Sequence, residues 1–178
     1  SILPTDSIAI INDRFGYLAL CLRKNNPILI THFKSQEDAI LKNYSLNELD
    51  SHELQFSHLL GEKEAKVDLI MMKVPKTMDL FHLFLLEAHK VSKENTKVYC
   101  GFMTRHFTKQ MLELASLYFE NIEQSKAWKK SRVLMLSSPK SEIDLVEPIH
   151  HISFLNHRNE HLTFKQYFGV FSANHIDY

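Results

Sequence analysis

The chain has 178 residues, 44% of them hydrophobic and 24% charged, with 21 Lys plus Arg against 21 Asp plus Glu. That length suits one domain with a substantial core, and the charge balance excludes a dominant electrostatic footprint for nucleic acid beyond local patches. Two cysteines, Cys21 and Cys100, support neither a disulfide framework nor a cysteine-type zinc site, and no run approaches the roughly 20 apolar residues of a membrane span. The N-terminal SILPTDS carries no signal-peptide pattern, so the expected setting is a reducing cytoplasm with no membrane partner.

Ser7 to Ile11 reads as a short apolar strand, Asn12 to Gly16 as a turn, and Tyr17 to Arg23 as a short helix. Ile28 to Ile30 is a second strand ending near Thr31-His32. Ser35-x-x-Asp38 resembles a capping box and predicts a helix to about Leu46. Leu54 to Leu59 is a weaker third strand, and Gly61 to Glu64 a polar loop. Val67 to Met72 is an apolar run broken only by Asp68, which suits a strand buried on both faces. Lys73-Val74-Pro75-Lys76-Thr77 follows. Then Met78, Phe81, Phe84, Leu85 and Ala88 fall at helical spacing, with Thr77 placed to cap and Asp79 in the first turn.

Thr96 to Phe102 is a fifth strand with Gly101 at its carboxyl end. Met111, Leu112, Ala115, Tyr118, Phe119 and Ile122 make one helical stripe. Val133 to Leu136 is a further strand, and Ser137 to Pro148, bounded by prolines, reads as a loop. Ile152 to Leu155 and Leu162 to Phe164 flank a polar segment and read as a hairpin. Alternating strands and helices imply an α/β, doubly wound, mostly parallel Rossmann-like sheet, with an antiparallel last part. The expected division is a domain over 1–148 and a terminal hairpin and linker over 149–178.

A nucleotide cradle needs glycines in the first strand-turn-helix, so that backbone can approach phosphate. Here the turn holds Arg14, Phe15 and one glycine, and the whole chain has four. The second strand ends in Thr31-His32-Phe33 where an acidic residue would hold a ribose. Both features describe the architecture of a cofactor fold without its cofactor site. Asp13 has an ordinary reading as a turn former.

The loop Lys73 to Lys76 is either a solvated turn or an anion contact at the carboxyl end of a strand. Lys126, Lys129, Lys130 and Arg132 surround Trp128 within seven residues. Such a cluster suits nucleic acid, with cations on phosphate and a ring on a base; the plainer reading is a half-buried Trp at a charged strand start. Arg105 and Lys109 lie just past the fifth strand, on the side of Lys73 and Lys76. The eleven histidines show no metal-binding spacing, and neither cysteine nor any serine sits in a nucleophile motif.

Four segments, Ile11-Asn12-Asp13-Arg14-Phe15-Gly16, Lys73-Val74-Pro75-Lys76-Thr77, Ala127-Trp128-Lys129-Lys130-Ser131-Arg132 and Gly169-Val170-Phe171-Ser172, occur in this order along the chain. Together they resemble the N-terminal half of the bacterial ribosomal RNA guanine-N2 methyltransferases, more the large-subunit 23S enzyme than the small-subunit 16S one. The resemblance implies a class I methyltransferase-like fold with a degenerate cofactor site. It implies that S-adenosylmethionine binds the parent protein's C-terminal half and not this fragment, with Lys73 to Lys76 standing where a catalytic N-P-P-F loop would be. The implied partners are ribosomal RNA, expected to be 23S, and the chain's own catalytic domain, with this fragment itself not catalytic. The RNA-facing candidates, chosen by charge, are Lys73, Lys76, Arg105, Lys109, Lys126, Trp128, Lys129, Lys130 and Arg132. A stand-alone small α/β enzyme would need a deep pocket at the switch point lined by polar groups, and Phe15 filling that cleft would count against it; a purely structural pairing module would scatter its basic clusters.

Overall fold

The computed structural model describes residues 2–59, 61, 65–144 and 146–169. Along the chain come β1 (Ile8–Ile11), α1 (Tyr17–Cys21), β2 (Ile28–Thr31), α2 (Lys34–Leu46), β3 (Gln55–His58), β4 (Val67–Lys73) and α3 (Met78–Lys90). Then follow β5 (Ser92–Met103), α4 (Lys109–Tyr118), β6 (Phe119–Gln124), β7 (Ser131–Pro139), β8 (Ile149–Leu155) and β9 (His161–Tyr167). Seven strands form one sheet in the order β3-β2-β1-β4-β5-β7-β6. β1 to β5 run parallel, and β7 runs antiparallel to both neighbours.

The apolar runs read from the sequence are strands buried on both faces, as expected for parallel strands between helical layers. Alternation divides their side chains. Ile8, Ile10, Leu29 and Leu69 pack with Ala19, Ile40 and Tyr44 under α1 and α2. Ala9, Ile11, Ile30, Ile70, Met72, Val98 and Cys100 pack with Phe81, Phe84, Leu85, Met111 and Ala115 under α3 and α4. In α3 nearly every residue from Phe81 to Ala88 is buried, including Glu87, whose carboxylate takes a hydrogen bond from Lys90 Nζ at 2.9 Å.

Several local expectations are corrected. α2 begins at Lys34 after an extended Phe33, so Ser35 lies inside the helix and no side chain caps it. Thr77 occupies the N-cap of α3 through its backbone carbonyl, without a side-chain cap. The long stripe from Met111 to Ile122 is not one helix. α4 stops at Tyr118, and Phe119 turns extended to pair with Pro139. The spacing of Phe119 and Ile122 suits either element; β7 decides by supplying a ladder of backbone partners. The same pairing carries β7 through Ser137 and Ser138 to Pro139, where a loop was expected.

The hairpin of β8 and β9 forms, but as a separate two-stranded sheet rather than an extension of the main one. His150 Nε2 lies 3.1 Å from Asp79 Oδ2 on α3, and Phe168 packs against His82 and His150. The polar loop at 62–64, and Val170 to Ser172 of the last family-like segment, lie outside the described residues.

Candidate functional site

In an open α/β sheet, ligands bind beyond the carboxyl ends of the strands where the strand order reverses. Here that point lies between β1 and β4. It is bridged by side chains. Asn12, with φ 65°, donates from Nδ2 to the Lys73 carbonyl oxygen at 2.7 Å. Gln36 donates from Nε2 to Asn12 Oδ1 at 3.0 Å, and its own Oε1 accepts the His32 backbone N–H at 3.0 Å. Asn12 and Gln36 are buried, so these amides satisfy one another and tie β1, β2 and β4 together.

The neighbouring groups are also committed to structure. Thr31 Oγ1 donates to buried Glu37 Oε1 at 2.8 Å, and the Lys34 ammonium on Glu37 holds that carboxyl below its ordinary range. Asp13 Oδ2 accepts the Ala19 N–H at 2.9 Å inside the first turn; burial raises its carboxyl, opposed by backbone donors around it. Gly16, at φ +79°, lies so near Ile40 that an added Cβ would meet it at 3.1 Å. The lone glycine of this turn therefore serves the packing of α1 on α2.

Beside this bridge a cleft of about 770 Å³ opens over the carboxyl ends of β4 and β5 and the start of β7. The rows Met71–Tyr99, Lys73–Gly101–Val133 and Met103–Ser131 line up across the three strands and face it. Leu18 of α1 and Val74-Pro75 complete the apolar lining. The cations are Arg14, Lys73, Lys76, Arg105 and Arg132, joined by His106, and among the described residues no carboxylate lines the cleft. Among the described residues none of these five forms an ion pair. Arg132 donates from Nη1 to neutral Gln124 Oε1 at 3.0 Å, and its buried Nε has no partner.

The structure thus brings Lys73, Lys76, Arg105 and Arg132 to one cleft. Lys126, Trp128, Lys129 and Lys130 lie on the connection from β6 to β7, and Lys109 opens α4 outside the cleft lining. Trp128 and Ser131 exchange backbone hydrogen bonds at 2.9 and 2.8 Å, closing a two-residue turn of Lys129 and Lys130. Trp128 is 72% exposed, not half-buried. Phe15 is 63% exposed and does not line the cleft, so it does not fill it. Arg14 and the Asn12–Gln36 bridge were not signalled as site residues. Their partners are distant in sequence, and only the sheet order brings them together.

An anion with an apolar portion is the ligand chemistry these walls fit. Cys100 is fully buried, its thiol pushed up to about 12 by burial, while Cys21 is exposed and does not line the cleft. Among the described residues, no group of three or more His, Cys, Asp or Glu is placed to hold a metal ion. No helix among them is long and apolar enough to cross a membrane.

Comparison with known proteins decides the family. The model described as "RLMG N-terminal domain" matches residues 2–141. The chain belongs to that family. It is 32% identical over 130 residues to the ribosomal RNA large subunit methyltransferase G of Shewanella sediminis, covering 71% of this chain and 32% of that protein. It is 28% identical over 174 residues to the same-named protein of Shewanella woodyi, covering 95% of this chain and 40% of that one. The chain thus spans about a third of the length of the curated relatives it matches. In fold it is similar to the Thermus thermophilus 16S rRNA N2 G1207 methyltransferase, solved in complex with AdoMet and guanosine. The TM-score is 0.72 at 17% identity, over 99% of this chain and 47% of that one. A TehB-like SAM-dependent methyltransferase of Corynebacterium glutamicum superposes with a TM-score of 0.60 at 13% identity, over 77% of this chain and 82% of that one. The fold is that of the class I methyltransferases.

Proposed function

We propose that this chain is the RNA-recognising, non-catalytic N-terminal domain of an S-adenosylmethionine-dependent ribosomal RNA (guanine-N2)-methyltransferase. It works in the cytoplasm on 23S rRNA, beside a C-terminal catalytic domain that holds the cofactor. Residues 1–148 form the methyltransferase-like body, and 149–178 the hairpin and linker toward that partner. The observation that carries the reading is the cleft rim: Arg14, Lys73, Lys76, Arg105 and Arg132 converge without a described ion pair and without a lining carboxylate. Cations left unneutralised on one face of a chain of zero net charge suit a polyanion, and RNA is the polyanion the relatives' names supply. The Asn12–Gln36 bridge supports the cofactor-free part, since it occupies with satisfied amides the crevice a nucleotide would need. Lys109, Lys126, Trp128, Lys129 and Lys130, which lie outside the cleft lining, are assigned to the same RNA-binding role by their charge and ring.

The test is a titration of the chain with a protein-free rRNA fragment, in the native sequence and with Lys73, Lys76, Arg105 and Arg132 each changed to Glu. The expected result is binding that weakens at least tenfold in the charge-reversed protein. Equal affinity of the two proteins would refute the assignment.

A further inference from the structure

The connection from β6 to β7 ends in a turn whose chemistry the basic rim does not explain. Lys129 and Lys130 have φ 44° and 64°, the left-handed region that a two-residue hairpin turn demands and that Asn and Gly ordinarily fill. The turn is held rigidly. Trp128 and Ser131 bond each other twice, and the Lys130 carbonyl accepts both the Thr104 N–H at 2.9 Å and the Thr104 hydroxyl at 3.2 Å. Immediately before it stands Trp128, 72% exposed, with Lys129 Nζ 4.7 Å from the ring centroid. No Asp or Glu occurs between Ser125 and Lys140.

An aromatic ring presented to solvent on a rigid turn, with ammonium groups beside it and no acid in the surrounding stretch of chain, has the parts of a stacking platform for single-stranded nucleic acid. The ring takes one face of a base, and the lysines take its phosphates. Ser131 and Arg132, directly after the turn, already line the cleft, so a strand stacked on Trp128 can continue toward the cationic rim. We infer that Trp128 is a base-stacking residue that makes this domain select an unpaired nucleotide over duplex RNA. This rests on the RNA reading above and adds what that reading leaves open, namely which state of RNA is held. A protein partner for the ring is disfavoured by the four cations at 126, 129, 130 and 132, which a protein interface would have to desolvate.

Trp128 is the chain's single tryptophan, so its emission reports on this site alone. The chain is titrated with a mixed-sequence single-stranded RNA dodecamer, with the corresponding duplex, and with heparin as a polyanion without bases. The expected result is strong quenching by the single strand, with duplex and heparin leaving the emission little changed. Trp128→Ala is expected to weaken single-strand binding roughly tenfold or more, with Trp128→Phe retaining most of it and heparin affinity unaltered. At 72% exposure neither substitution threatens the fold. Single-strand binding without quenching, or an unchanged Kd in Trp128→Ala, would overturn the platform while leaving RNA recognition standing. Failure of every RNA to bind would overturn both readings.

Discussion

Asn12 Nδ2 donates to the Lys73 carbonyl oxygen at 2.7 Å, joining β1 to β4 where the strand order turns back. One amide thereby ties the first turn to the basic loop after β4, across 61 residues of sequence. Asn suits the position twice over: it tolerates the left-handed backbone and supplies both a donor and an acceptor. Asn12→Ala strands the Lys73 carbonyl and Gln36 Nε2, at a cost of about 2–3 kcal/mol including the backbone strain, read by urea denaturation. Asn12→Gly relieves the strain and separates the two contributions. Neither substitution is expected to create micromolar affinity for S-adenosylmethionine by calorimetry.

Gly16 is the second fixed point of that turn. Gly16→Ala places a Cβ 3.1 Å from Ile40 at a backbone φ of +79°, so α1 must shift on α2. The expected loss is about 1–3 kcal/mol in the same denaturation experiment. A loss below about 0.5 kcal/mol would mean that the turn is plastic rather than fixed.

The Lys129-Lys130 turn sets stability against binding. Lys129→Asn with Lys130→Gly puts residues suited to positive φ in the turn, and is expected to raise stability by about 1 kcal/mol or more. The same protein loses two cations and is expected to bind rRNA several-fold more weakly. A gain in stability with undiminished RNA affinity would show the lysines to be incidental.

Acid should weaken the fold in two stages. Burial lowers His32 and His82 below the ordinary histidine value of 6.5, His82 facing Tyr118 at 2.7 Å. Below that value the unfolded chain takes protons that the folded chain resists, so their stability contribution is present above about pH 6.5 and is lost as pH falls. Asp68, held down by hydrogen bonds from Lys93 and then Ser7, and Glu37, held down by Lys34, are depressed carboxylates. Their contribution is present above the ordinary values of 3.8 and 4.5 and is lost as pH falls below them. Thermal melts should show Tm falling from pH 7.5 to 5.5, with a further fall below pH 4.5, and His32→Gln with His82→Gln flattening the first stage.

The parallel strands were legible because each is buried on both faces, which leaves continuous apolar runs such as Ile8 to Ile11 and Val67 to Met72. The end of α4 was not, because Phe119 and Ile122 satisfy helical spacing while pairing with β7. Lys73, Lys76, Arg105 and Arg132 were legible as charges at strand ends, and the strand order then gathers them. The Lys73–Asn12–Gln36 chain depends on contacts 61 and 24 residues apart, which no local pattern encodes. The exposure of Phe15 and Trp128 was equally hidden, since an aromatic residue in a loop reads alike whether it faces core or solvent.

The central claim, that a cationic surface of this domain holds RNA by its phosphates, is tested most directly by the salt dependence of its binding to a protein-free rRNA fragment. Between about 50 and about 200 mM salt, log K should fall against log salt with a slope of roughly −2 to −4, shrinking toward zero when Lys73 and Arg132 are changed to Glu. A slope near zero in the native chain, or one that those substitutions leave unchanged, would contradict the account.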